Sequence, residues 1–403
     1  MHPFLSSAQI SLALDIHWQS QDVDHHEHFF IEKLNTWRDL DPASILFPIT
    51  RAAQGETLSI QSKPGEITGA YDPEKVLRLN TQRLRLNRQQ LRVGRFYPQG
   101  MITGLPGVFK ENITPFRLIE LDDNQAVVDL NHPLAKHTLD LDIEIIRLNY
   151  RDKERGGSCT DWIQVALDGP GIQQRINREK PTRFIVDTAL QRLDERPDPL
   201  FYQTDRFVPH IDETASQLLA KHYGRLISPG QKVLDLMASW TSHLPETFAS
   251  GEIHGLGMNA NELNANPLLA KTTVQDLNQN PVLPFTDHFF DAVICSLSVE
   301  YLIHPVQVFE HVGRVLKPGG VFAVSFSNRW FPEKAIGIWQ ALHDFERQAL
   351  VMEYFYDACC FEKLETFSVR GYPRPPDDSY ANQFLYSDPL FLVVGRKRFA
   401  TSQ

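Results

Sequence analysis

The stretch from Lys232 to Ser327 constrains the fold more than any other part of the chain. Short apolar runs at 232–237, 253–257, 290–297 and 321–326 alternate with helical patterns, and another short run ends at 274–276. Apolar strands separated by helices predict a parallel sheet that is covered on both faces. Sheets of this kind bind their ligands at the carboxyl ends of the strands.

Several motifs in this stretch, in this order, resemble those of the class I S-adenosylmethionine (SAM) methyltransferases. They are Val233-Leu-Asp-Leu, Asp276, Leu283-Pro-Phe, Phe290-Asp-Ala-Val and Arg314-Val-Leu-Lys-Pro-Gly-Gly320. The resemblance begins near Phe201 and implies an α/β Rossmann-like methyltransferase domain at residues 200–403. It further implies a doubly wound seven-stranded sheet, mostly parallel, with SAM as the cofactor across the ends of the first strands.

The turn after the first strand departs from that family. Members carry glycines there because the chain passes close to the cofactor, whereas this chain has Met237, Ser239 and Thr241. The second strand ends at Gly257 instead of an acid for the ribose. Two interpretations stay open: a divergent subfamily that binds SAM through its Ser-His-Leu-Pro turn, or a methyltransferase fold that has lost SAM.

The resemblance implies roles for individual side chains. Asp276 is expected to accept from the adenine amine, and Asp235 to position the turn. A ring of Tyr301, Tyr202 or Phe207 is expected either to lie beside the sulfonium or to pack the core. The candidate cofactor-binding residues are Asp235, Met237, Ser239, Thr241, Gly257, Met258, Asn259, Asp276, Leu277, Tyr301 and Tyr202.

Methyl transfer needs a base only when the acceptor carries a proton. Three catalytic candidates follow: His243 in the first loop, His210 in the segment that folds over the cofactor in this class, and Glu300 after the fourth strand. His243 is equally well explained as a helix-start residue bonded to backbone. The acceptor stays open among a small thiol, a metabolite and a protein.

The amino-terminal part has a different pattern. Residues 139–148 mostly alternate apolar and charged residues, which predicts an antiparallel sheet with one solvated face. Val127-Val-Asp-Leu-Asn-His-Pro-Leu-Ala135 resembles the SlyD-like branch of FKBP-type prolyl isomerases. The resemblance implies a mainly antiparallel α+β FKBP-like domain at 1–150, whose flap at about 76–130 binds unfolded chain. Thr68 and Leu141 replace the family's aromatic residues, which favours binding of a client or partner over isomerisation.

Elsewhere the sequence gives local predictions. Residues 151–199 are expected to form a linker or connecting layer. A helix is expected at 213–223 with Asp212 as its N-cap, and further helices at 333–343 and 344–358. The His-rich stretch 22–28 is expected to be a solvated turn without a metal.

Charge and composition narrow the function. The net charge of −10 argues against a nucleic-acid surface. No apolar run reaches the length of a membrane span, and no signal peptide is apparent, so a cytoplasmic protein is expected. Four scattered cysteines give no metal-ligand spacing.

The sequence therefore predicts a SAM-dependent methyltransferase with an FKBP-like binding module, a methyl-acceptor substrate and no metal. Two rivals are an active prolyl isomerase that carries an inactive methyltransferase fold, and a scaffold in which both parts only bind.

Overall fold

The structure is a computed structural model that describes residues 8–39, 45, 48–49, 51–85, 91–150, 156–186, 188–248 and 251–399. The chain divides into two compact units. The first comprises Met1–Gln21, His25–Val186 and Phe345–Leu350; the second comprises Asp22–Asp24, Asp187–Asp344 and Val351–Gln403. Residues 151–155 of the predicted linker lie outside the described residues.

The first unit contains two sheets and a short helix. One sheet has the strand order β2-β1-β8-β3, and the other has the order β4-β7-β6-β5. The second sheet lies entirely within residues 76–129, the range in which the sequence predicts an inserted flap. The elements are β1 (Ala8–Ser20), β2 (Val23–Asn35), β3 (Thr57–Ser62), β4 (Val76–Asn80), β5 (Phe96–Pro98), β6 (Pro115–Leu121), β7 (Gln125–Asp129), β8 (Leu139–Tyr150) and α1 (Trp162–Leu167).

The predicted solvated turn at 22–28 is wrong, because β2 already begins at Val23. Buried and partly exposed residues alternate along this strand, and His25 is fully buried, with its ring stacked 3.8 Å from that of Trp18. Burial lowers the pKa of His25 well below its usual value, so the imidazole is neutral and packs as a core residue.

The second unit is built on seven neighbouring strands in the order β11-β10-β9-β12-β13-β15-β14. The first five strands of that order are parallel, and β15 is antiparallel to both of its neighbours. This confirms the predicted Rossmann-like sheet. Its strands are β9 (Lys232–Leu236), β10 (Glu252–Gly257), β11 (Lys271–Val274), β12 (Phe290–Ser296), β13 (Leu316–Phe326), β14 (Phe361–Arg370) and β15 (Leu390–Lys397).

Helices accompany this sheet, and the N-cap predicted at Asp212 is confirmed. Asp212 caps α3, since its carboxylate accepts from the Ala215 N–H at 3.0 Å. Leu219 and Tyr223 of the same helix are fully buried. The helices are α2 (Asp198–Tyr202), α3 (Glu213–Leu226), α4 (Ala260–Ala265), α5 (Pro305–Val315) and α6 (Gly337–Gln340). A further helix, α7 (Asp344–Asp357), contains Phe345–Leu350 of the first unit, and its other residues belong to the second.

The helix predicted at 333–343 is wrong except for α6. The Gly337 N–H donates to the Gln191 carbonyl, and the Ile338 N–H donates to the Ala189 carbonyl. A helix that started at 333 would instead need both groups for its own hydrogen bonds. Lys334 is fully buried, and its ammonium donates to the carbonyl of Arg196 at 2.8 Å. Tertiary contacts have overridden the helical pattern.

None of the helices in the described part of the chain is both long enough and apolar enough to cross a bilayer.

Candidate functional site

A cavity of about 330 Å³ lies at the carboxyl ends of β9 to β12 in the second unit. Its walls come from the loops that follow these strands, from residues 329–331 after β13, from α2 and residues 203–211 (the 203–211 segment), and from Tyr380. This is the edge at which the sequence analysis expects the cofactor.

The cavity brings together every candidate cofactor-binding residue and two of the three catalytic candidates. The exception is Glu300, whose side chain is buried and does not line the cavity. The candidates that line it are Tyr202, His210, Asp235, Met237, Ser239, Thr241, His243, Gly257, Met258, Asn259, Asp276, Leu277 and Tyr301.

The turn after β9 keeps a left-handed backbone without glycine. Met237 has φ +59° and His243 has φ +51°, and Leu297 after β12 has φ +54°. Such conformations cost side-chain-bearing residues on the order of 1–3 kcal/mol each and cluster at functional sites. All three residues line the same cavity. Met237 therefore adopts the conformation for which a glycine is normally selected.

Side chains hold this turn in place. The Ser239 hydroxyl donates to Glu262 Oε2 at 2.6 Å, and Asn266 Nδ2 donates to the Ser239 carbonyl at 3.0 Å and to Ser242 Oγ at 2.9 Å. Ser239 is thus engaged inside the protein. The hydroxyl of Thr241 makes no hydrogen bond to the described residues, so it is the one available to a ligand.

Asp235 lies beneath this turn and is almost fully buried. One of its carboxylate oxygens accepts from Ser242, while the other has no hydrogen-bond partner among the described residues. Burial raises the pKa of Asp235 to about 7, which Ser242 only partly offsets. A cationic group at this end of the cavity would favour the ionised form.

The end of β10 packs against the same turn. A Cβ on Gly257 would stand 2.2 Å from the Ala238 carbonyl oxygen, so only glycine fits. Asn259 caps α4, accepting from the Asn261 and Glu262 N–H groups, and donates to the carbonyl of Tyr202 at 3.1 Å. Gly257 therefore has a packing role at the cavity edge, in addition to any contact with a ligand.

The loop after β11 is fixed by its own acid and amide. Asp276 Oδ1 accepts from the Asn278 N–H at 2.9 Å, and Asp276 Oδ2 has no hydrogen bond to the described residues. Asn278 Nδ2 donates to Asp198 Oδ2 at 2.8 Å and to the Tyr301 carbonyl at 2.9 Å. This leaves one Asp276 oxygen on the cavity wall with its lone pairs available.

Two imidazoles line the cavity, those of His210 and His243. Burial lowers the pKa of His243 to about 4, with His210 adding to the effect, and burial lowers the pKa of His210 also. His243 Nδ1 lies 3.0 Å from Ser216 Oγ, whereas His210 makes no hydrogen bond to the described residues. Both rings are neutral near pH 7, and His210 has both nitrogens available for a ligand.

Aromatic rings form the remaining wall. The rings of Tyr301 and Phe331 lie 6.0 Å apart, and the Tyr301 hydroxyl accepts from the Phe331 N–H at 3.0 Å. Burial, and then the neighbouring Glu300 carboxyl, raise the pKa of Tyr301 well above its usual value. Glu300 therefore acts on this wall from behind Tyr301 and not from the cavity surface.

Sequence reasoning missed several residues of the site. Glu262 accepts from the Arg206 N–H at 2.7 Å as well as from Ser239, and so ties α4 to the 203–211 segment. Arg329 lines the cavity and stacks 4.7 Å over Tyr380. An acid in the first turn of the helix after β10 was a visible signal for Glu262; no local pattern marks Arg329.

The described residues contain no group of three or more His, Cys, Asp or Glu side chains placed to hold a metal ion.

Comparison with known proteins finds similarity to methyltransferases in the carboxy-terminal part of the chain. Residues 239–324 match the family described as "Methyltransferase domain". The chain is 25% identical over 237 residues to the biotin biosynthesis bifunctional protein BioHC of Teredinibacter turnerae, covering 52% of this chain and 40% of that protein. It is 30% identical over 150 residues to the demethylmenaquinone methyltransferase of Renibacterium salmoninarum, covering 34% of this chain and 63% of that protein.

Among solved structures, the complex between the Haloferax volcanii Trm112 methyltransferase activator and a methyltransferase aligns with 18% identity and a TM-score of 0.36. It covers 47% of this chain and 93% of that one, and a score this low adds nothing to the strand order. The strand order, the motifs and the family match all fall on the second unit. The second unit therefore has a Rossmann-like methyltransferase fold, with the match to the methyltransferase-domain family at residues 239–324.

Proposed function

We propose that this protein transfers a methyl group from SAM to an acceptor bound in the cavity of the second unit. The observation that carries the proposal is that all the candidate cofactor-binding residues line one cavity at the carboxyl ends of β9 to β12. Scattered positions would have favoured the alternative of a fold that has lost its cofactor.

The residues present fit SAM at both ends of the cavity. At the β9 turn, the Thr241 hydroxyl and one Asp235 carboxylate oxygen have no hydrogen-bond partner among the described residues. The hydroxyl can therefore donate to a carboxylate, and the Asp235 oxygen can accept from an ammonium. At the β11 loop, the free Oδ2 of Asp276 is placed to accept from the adenine amine. The Asp235 carboxylate therefore matches the ammonium of the methionine part of SAM, and the Thr241 hydroxyl matches its carboxylate. The Asp276 oxygen matches the adenine amine.

SAM supplies a methyl group already activated on a sulfonium. The chain's own task is to orient the acceptor and to exclude water. Tyr301 and Phe331 present ring faces that favour a cation. His210 is neutral and has both ring nitrogens free, so it accepts the proton of an acceptor that must lose one. The weak basicity of His243 suits a positioning role.

A thermal-shift titration tests this function directly. SAM and its demethylated product should each raise the melting temperature, because a ligand at 100 times its Kd adds about 2.7 kcal/mol of stability. Adenosine triphosphate serves as the control nucleotide. Equal shifts with all three, or none with SAM, would contradict the proposal.

We also propose that residues 1–150 form an FKBP-like module that binds chain segments, with its flap at about 76–130. The separate four-stranded sheet within 76–129 and the strongly exposed Phe109 and Ile113 support this. Leu141 is buried in the core and offers no ring to a proline. A proline-peptide isomerisation assay on the full chain should show little turnover; rates typical of an FKBP would contradict poor catalysis.

A further inference from the structure

An exposed apolar patch borders the cavity. It consists of Phe207 and Val208 in the 203–211 segment, and of Tyr380 and Phe384 in the loop 371–388. We call these four residues the mouth patch. Their exposed fractions are 50%, 54%, 37% and 56%. Val208 and Tyr380 also line the cavity, so the patch is continuous with the proposed site of methyl transfer.

The two sides of the mouth patch are fixed to one another. The Asp212 N–H donates to Asp388 Oδ2 at 2.9 Å, and the Asp388 N–H donates to Asp212 Oδ2 at 2.6 Å. Arg374 donates to Asp388 Oδ1 at 2.5 Å from within the same loop. Both carboxylates are buried. These charge-assisted bonds join the end of the 203–211 segment to the end of the loop.

Ring contacts order the patch itself. The rings of Tyr380 and Phe384 lie 6.4 Å apart, and Phe207 lies 6.4 Å from Trp240 in the β9 turn. Trp240 Nε1 donates to the Val208 carbonyl at 3.3 Å. An ordered apolar surface beside a cavity is typical of a ligand-binding groove.

The size of the cavity indicates what lies on this surface. A volume of about 330 Å³ is near the lower end of the roughly 300–1,000 Å³ that pockets for drug-sized ligands occupy. SAM alone is a ligand of that size. The body of the acceptor must then lie at the mouth, where the wall is apolar, with only its reactive end inside.

We infer that the methyl acceptor has an extended apolar body, aromatic or hydrocarbon, which lies on the mouth patch. This inference rests on the proposed function and narrows its substrate class. It excludes small hydrophilic metabolites, which would leave the mouth patch in water. Arg329 lines the cavity and stacks over Tyr380, and its Nη1 donates to Asp388 Oδ2 at 3.2 Å. Its remaining N–H groups can donate to a polar group near the reactive end.

Calorimetry with a matched pair of probes tests the inference. Dodecyl maltoside below its micelle concentration is compared with maltose, on full-length protein saturated with S-adenosylhomocysteine. The chain-bearing probe should bind and maltose should not. Phe207→Ser/Phe384→Ser should weaken that binding by about tenfold or more, because two large apolar contacts are lost. Leu193→Ser/Phe399→Ser, exposed apolar residues of the second unit that do not line the cavity, should leave it unchanged.

The outcomes separate the inference from the function. Equal weakening by both double variants, or no binding of the probe to the wild type, overturns the inference. Binding to phosphatidylcholine vesicles without binding of the single-chain probe would assign the patch to a membrane surface and overturn it too. Patch-dependent dimerisation without probe binding would do the same. The affinity for S-adenosylhomocysteine is measured first in every sample. If the wild type does not bind it, the proposed function is overturned. If Phe207→Ser/Phe384→Ser still binds it, that variant is folded.

Discussion

The loop after β11 and the turn after β9 face the same cavity but reach their conformations by different means. The β11 loop keeps the acid of the methyltransferase motif, Asp276, and caps itself with it. The β9 turn lacks the glycines of that motif, yet Met237 holds the left-handed backbone, and Ser239 is bonded to Glu262. The left-handed backbone of the turn is thus kept without the glycines of the motif, because side-chain hydrogen bonds hold the turn in place.

The largest expected effect concerns Asp235, beneath the β9 turn. Its folded-state pKa of about 7 lies above the unfolded value of about 3.9, so the folded protein holds a proton that the unfolded chain releases. Stability from this group is fully present below about pH 4 and is lost as the pH rises through 7. Asp235→Asn should remove this loss, worth up to about 4 kcal/mol.

Urea unfolding of the wild type and Asp235→Asn at pH 4.5 and pH 8 measures the effect. The variant should gain on the wild type as the pH rises. A constant difference between the two would show that Asp235 is ionised in the folded protein at both values. Saturating SAM should flatten the wild-type profile, since its ammonium favours the carboxylate.

The second effect concerns the contact between β10 and the β9 turn. Gly257→Ala places a Cβ against the Ala238 carbonyl and should cost about 2–3 kcal/mol while displacing the turn. SAM affinity should fall with it. Gly156→Ala, where a Cβ meets nothing within 4 Å, is the control. Normal stability and affinity for Gly257→Ala would mean that the turn is not packed as described.

The third effect tests the β11 loop alone. Asp276→Asn keeps an oxygen that accepts from the Asn278 N–H. It replaces the second carboxylate oxygen, an acceptor, by an NH2 donor and removes the negative charge. SAM binding should weaken about tenfold or more, because hydrogen bonds to charged groups contribute roughly 1.5–3 kcal/mol. Thermal stability should hardly change. An unaltered affinity by calorimetry would place the adenine elsewhere.

These two regions also show how far sequence reasoning reaches. The strands of the second unit were predictable because continuous apolar runs such as 290–296 suit only a doubly covered sheet. The sequence shows that Met237 replaces a motif glycine, but it does not show that Met237 keeps a positive φ. Glu262 was missed because its role depends on Ser239 and Arg206, which lie 23 and 56 residues away in the sequence.

The first unit teaches the same lesson for polar residues. The stretch 22–28 reads as solvated when its histidines are counted as charges, but neutral His25 fits a strand interior. In the second unit, the short length of α6 could not be predicted from local patterns either, because the Gly337 N–H donates to the Gln191 carbonyl instead of to a helical partner. Burial and contacts with residues distant in the sequence determine the structure of such segments, and a short stretch of sequence shows neither.

The smallest effect concerns Met237 itself. In most positions Ala is favoured over Gly, but at φ +59° the order should reverse, because the left-handed conformation costs an alanine about 1–2 kcal/mol. We expect Met237→Gly to be more stable than Met237→Ala by about 1 kcal/mol. Denaturant unfolding of the pair measures this. The ordinary order would show that the turn relaxes to another conformation.

The central claim is that the glycine-free β9 turn is a working cofactor site, and one calorimetric comparison tests it most directly. SAM affinity is measured for the wild type and for Ser239→Gly/Thr241→Gly. The account predicts measurable binding to the wild type and a weaker affinity in the variant, because the Ser239 bond to Glu262 and the free Thr241 donor are lost while the turn gains entropy. Unchanged or tighter binding in the variant, or none in the wild type, would contradict it.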